Sequence, residues 1–65
     1  MYKELNIEIL RKGMTKKILA KKTNIRYQTL LAKLQGKYPI TFDECLKIKE
    51  ALNSNLPLEI LFSTQ

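Results

Sequence analysis

TKKILAKKTNIRYQTLLAKLQ, residues 15 to 35, is the stretch on which the fold turns. Thr15 offers a capping hydroxyl to a helix over Lys16 to Lys22, with Leu19 and Ala20 facing inward. Asn24 marks a corner, because asparagine ranks just behind glycine in tolerating a left-handed backbone. Ile25 follows as an apolar anchor. A further helix runs from about Arg26 to Gln35, and at 100° per residue Leu30 and Leu34 form its inward stripe. Ala20 is small where two steeply crossed helices approach most closely, and Leu19, Ile25 and Leu30 fill the wedge between them. A helix, a short turn and a second helix in this order make a helix-turn-helix.

Working outward, residues 2 to 11 read as a first helix with Tyr2, Leu5 and Ile9 on one stripe, ended by Gly13. Gly36 stops the third helix. Lys37, Tyr38 and Pro39 form a loop, since Pro39 biases Tyr38 away from helical angles. Thr41 and Glu44 have the spacing of a capping box and open a fourth helix that reaches about Leu52. Residues 53 to 55, Asn-Ser-Asn, form a turn, and a last short helix begins near Pro57 and carries Leu58, Leu61 and Phe62. No segment alternates as a strand does. The expected fold is all-α: one compact five-helix domain over residues 1–65, with its helix-turn-helix at about 15–35.

The composition narrows the function. A chain of 65 residues buries only about 60% of the surface its unfolded form exposes, so its stability is expected to be marginal. Histidine is absent and Cys45 is the single cysteine, which excludes an internal disulfide and a Cys/His metal cluster. Cys45 lies among apolar neighbours and reads as a small buried hydrophobe. With no activated nucleophile and no phosphate loop of the GxxxxGK type, no enzyme is expected, and neither a cofactor nor a metal. No apolar run approaches the roughly 18 residues of a membrane span. The N-terminal MYKELNIEIL has acidic residues where a secretory signal has a basic start and an apolar core. A cytoplasmic protein is expected.

The net charge is +6, but its distribution says more. Nine basic residues lie from Arg11 to Lys37 without one Asp or Glu among them, whereas the flanks hold three basic and six acidic residues. A solvated helix face usually interleaves the two signs. Segregation of this kind points to a polyanionic partner.

Read as a whole, GMTKKILAKKTNIRYQTLLAKLQGK, then TFDECLKIKEALN, then LPLEILF resembles the Cro/repressor type of helix-turn-helix domain of phage and bacterial regulators. The resemblance covers nearly the whole chain, including the glycines before helix two and after helix three. It implies that the third helix enters the major groove of DNA. It also implies that Lys16 stands where the family often fixes a phosphate with glutamine. Arg26, Tyr27, Gln28, Leu31 and Ala32 fall where the family reads bases, and Lys37 falls where its loop touches backbone. Four features depart from the pattern: Lys33 stands at a commonly apolar position, and Thr23 replaces a more apolar residue. Ile18 takes the place of a capping-box acid or amide, and Leu31 with Ala32 replaces polar readers.

The residues themselves point the same way. Lys16 and Lys17 in the first turn of helix two, and Arg26 at the start of helix three, oppose the positive end of the helix dipole. A phosphate at those termini reverses the sign, since N–H groups, dipole and cation then face one anion. Lys16, Lys17, Arg26 and Lys37 are therefore the expected phosphate contacts, which give affinity without sequence information. Tyr27, Gln28, Leu31 and Ala32 are the expected base-reading set. The Gln28 amide suits adenine, Leu31 and Ala32 suit thymine methyl groups, and Tyr27 lies close to the core edge. Lys12, Lys21, Lys22 and Lys33 read as field rather than contacts. A weak homodimer, through Leu58 or Ile60 or formed only on DNA, fits a domain that reads half a site. The expected function is a sequence-specific double-stranded-DNA-binding regulator of transcription, of phage or prophage type. The alternative is a protein-interaction module, antirepressor-like, with Ile18 and Leu31 in its contact patch.

Overall fold

The computed structural model describes residues 2–64. Along them run five helices: α1 (Lys3–Arg11), α2 (Lys16–Thr23), α3 (Tyr27–Leu34), α4 (Phe42–Leu52) and α5 (Leu58–Leu61). The all-α expectation holds, and the boundaries fall within a residue or so of those read from the sequence. Arg26, expected as the first residue of the third helix, is instead the residue that precedes it.

Four of the helices end in the same way. At the end of α1, Gly13 is left-handed (φ 65°), its N–H donates to the carbonyl of Leu10, and the N–H of Met14 donates to that of Ile9. These are the two bonds of a Schellman ending, which satisfies carbonyls that the helix leaves without partners. At the end of α2 the left-handed residue is Asn24 (φ 60°), and Ile25 donates back to Ala20. The turn thereby fixes where Ile25 leaves α2 and where α3 starts. Gly36 and Asn53 close α3 and α4 with the same pair of bonds.

Starts are more varied. Thr15 Oγ1 accepts from the N–H of Ile18, while α4 carries the complete capping box between Thr41 and Glu44. With Ile18 in place of an acid or amide, the box at α2 lacks its reciprocal half.

Leu5, Ile9, Leu19, Ala20, Leu30, Leu34, Ile48, Leu52 and Leu61 are the buried hydrophobics and form one core. In that arrangement α2 packs on both α3 and α4, and α5 packs on α1 and α4. Tyr2 leans on Phe62 edge to face, with ring centres 6.1 Å apart. Thr23 is buried at the end of α2, and its hydroxyl donates to the carbonyls of Leu19 and Ala20. A threonine so bonded costs the core little, since its polar atom has partners. Cys45, expected to be buried, is half-buried. It stands one turn nearer the helix start than Ile48 on the stripe that Ile48 and Leu52 bury, where that stripe leaves the core.

One polar cluster lies inside the fold. The Glu8 carboxylate is only 3% exposed, accepts from the Ser54 hydroxyl at 2.6 Å, and pairs with Arg11 at 3.0 Å. Ser54 Oγ in turn accepts from the N–H of Leu56, and Lys12 Nζ donates to the carbonyl of Asn53. These bonds tie α1 to the turn between α4 and α5.

Candidate nucleic-acid interface

The corner between α2 and α3 presents a cationic surface. Lys16, Lys17, Lys21, Lys22, Arg26 and Lys37 are all exposed, and none forms an ion pair with a described residue. The other three cations of the one-signed segment have partners. Arg11 is paired with Glu8, and Lys12 bonds the Asn53 carbonyl.

Lys33 is the clearest departure from the sequence reading, which treated it as part of the field. It is half-buried and its ammonium donates to the Glu44 carboxylate, joining α3 to the start of α4. That bond, and then the N–H of Thr41, hold the Glu44 carboxyl below its ordinary pKa. A lysine at a commonly apolar position is thus accommodated by neutralisation.

Among the residues expected to read bases, Gln28 is exposed on α3, with Thr29 beside it. Thr29 was not among the expected readers. Its exposure follows from its place about 100° from Leu30 on the helical wheel. Leu31 and Ala32 are half-buried rather than fully outward, and Tyr27 is half-buried and packed against the core. Ile18, 44% exposed, is the more open member of the alternative Ile18–Leu31 patch. Lys17 Nζ lies 5.7 Å from the centre of the Tyr27 ring, within the range of a cation–π contact. That contact ties the first turn of α2 to the first turn of α3. A shallow depression lined by Lys17, Lys21, Asn24, Arg26 and Tyr27 runs along the corner.

Charge at the helix starts follows two rules in one chain. The first turns of α4 and α5 carry Asp43 with Glu44, and Glu59, the sign the helix dipole favours, while α1 opens with both signs, Lys3 and Glu4. Neither α2 nor α3 has an acidic residue in its first turn. Lys16 and Lys17 open α2, and Arg26 precedes α3 without a side-chain cap. Cys45 takes no part in this surface. Burial, and then the charge of Glu44, push its thiol pKa up, away from the thiolate form.

Among the described residues no group of His, Cys, Asp and Glu side chains is placed to hold a metal ion, and no helix is long and apolar enough to cross a membrane. A family model, the Cro/C1-type HTH DNA-binding domain, matches residues 4–61. No curated protein and no solved structure gives a significant match.

Proposed function

The chain belongs to the Cro/C1-type helix-turn-helix DNA-binding family, and from that premise we propose that it is a sequence-specific regulator of transcription, of phage or prophage type, that sets α3 in the major groove of double-stranded DNA. The observation that carries this reading is the reversal of charge at the starts of α2 and α3. Helices α4 and α5 obey the dipole, and α1 opens with one charge of each sign. Only α2 and α3 begin with cations and no acid, at a cost of a few tenths of a kcal/mol for each exposed cation. A phosphate beside Lys16, Lys17 and Arg26 turns that cost into attraction.

In this reading Lys16, Lys17, Arg26 and Lys37 hold backbone phosphates and fix the register of α3. Gln28 reads adenine through its amide. Leu31 and Ala32 pack against thymine methyl groups with the part of each side chain that remains open. Tyr27 closes the core edge and, with Lys17 over its ring, flanks the groove. Two copies bind paired half-sites through a weak interface at the C-terminal segment. There Ile60 is 48% exposed while Leu58 is half-buried, which favours Ile60 as the contact.

Fluorescence anisotropy with mixed-sequence duplex DNA at several salt concentrations tests the electrostatic half of the proposal. Neutralising four to six phosphates gives a fall of log K against log salt with a slope of about −4 to −5. A flat curve, or no binding at low salt by the folded chain, refutes it.

A further inference from the structure

A second feature adjoins the cationic corner. Between α1 and the start of α2 lies a groove of about 550 Å³ whose apolar lining includes Ile9, Leu10, Met14 and Tyr27. Lys16 and Lys17 line the same groove. Leu10 is 77% exposed, the most open large hydrophobic residue among those described. On α1, Lys3, Asn6 and Leu10 stand at i, i+3 and i+7 and so share a face. The acids of that helix lie elsewhere, with Glu8 buried beside Ser54, and no carboxylate lines the groove. The surface is therefore apolar at its centre and positive at its edges.

Duplex DNA accounts for only part of this, because a phosphate backbone offers nothing for Leu10 and Met14 to pack against. Small ligands are normally held with most of their surface enclosed. A groove open at Leu10 instead suits a peptide that passes along it and seats one side chain.

We propose that the α1–α2 groove docks an acidic segment of another protein, with a bulky apolar side chain against Leu10, Met14 and Tyr27 and its carboxylates on Lys16 and Lys17. Because both lysines also belong to the proposed phosphate set, the docked segment and DNA exclude one another. The exclusion rests on the DNA-binding reading; the docking does not.

A fluorescein-labelled peptide of Asp and Glu residues with one central Phe and one central Leu, titrated with the full chain, tests this. Anisotropy reports affinity, and amide chemical shifts report the site. The expected result is binding with shifts centred on Leu10, Met14 and Lys16, and displacement by duplex DNA. Replacing the Phe and Leu of the peptide by Ser is expected to weaken binding about tenfold. Leu10→Ser in the chain should do the same, since a partly buried leucine contact is worth about that factor. Leu10→Ser leaves DNA affinity unchanged. Equal binding by the Ser-substituted peptide or by the Leu10→Ser chain overturns the proposal in favour of charge alone, and so does an absence of binding. A ternary complex of chain, peptide and DNA overturns the exclusion. A chain that binds the peptide but no DNA keeps the docking and removes the DNA reading.

Discussion

Glu8 and Ser54 show what a single residue does in this fold. Their carboxylate and hydroxyl meet at 2.6 Å across 46 positions of sequence, and the same hydroxyl receives the N–H of Leu56. Ser54→Ala leaves a buried carboxylate oxygen and a backbone N–H short of partners, so a loss of about 1–3 kcal/mol is expected, read as a fall in the urea midpoint at unchanged slope. At the proposed interface two substitutions should separate by kind. Lys16→Ala should weaken every duplex alike and reduce the salt slope by about 1, whereas Gln28→Ala should change preference at one or two base pairs. Neither Glu8 nor Lys33 was legible as a bonded residue, because each looks like an ordinary surface charge until its distant partner is known. The exposure of Gln28 was legible, since helical phase alone turns it away from Leu30 and Leu34.

Local chemistry governs the elements, and here the sequence was most informative. Gly13, Asn24 and Gly36 announce their helix ends through the left-handed backbone each accepts, and the Thr41–Glu44 spacing announces the start of α4. Asn24→Ala is expected to lower stability by about 1 kcal/mol, while Asn24→Gly should be nearly neutral. Thermal unfolding of the two variants side by side checks this. Failure of Asn24→Ala to differ from Asn24→Gly would mean that the corner does not depend on its backbone conformation. Glu44 adds a pH dependence. Its folded pKa lies below the ordinary value of 4.5, so the stability it contributes is complete above that value and is lost as the pH falls through the folded pKa. The gap in unfolding midpoint between the parent chain and Glu44→Gln should therefore be widest near neutrality and narrow below about pH 4.5. Half-burial of Leu31 and Ala32 was not legible, because wheel angles fix direction along α3 and say nothing of which neighbours lean over it.

At the scale of the whole molecule, two patterns of charge share one small core. Helices α4 and α5 place acids at their starts, α1 places one charge of each sign there, and the two around the corner place cations, so the anomaly in charge and the family assignment converge on DNA. The segregation of charge was visible in the sequence, but its true extent was not. Within the segment from Arg11 to Lys37, Arg11 and Lys33 form internal pairs and Lys12 bonds a carbonyl, which leaves the free cations of that segment on α2, at the corner and in the loop after α3. If the C-terminal segment joins two copies, Ile60→Glu should leave the unfolding transition almost unchanged while abolishing cooperative binding to paired half-sites. Sedimentation on and off DNA would show this. The central claim is that α3 reads sequence, and selection from randomised duplex DNA at near-physiological salt tests it most directly. The expected result is enrichment of a two-fold symmetric site with half-site centres about one helical turn, roughly 34 Å, apart. Recovery of unenriched DNA by the folded chain would contradict it.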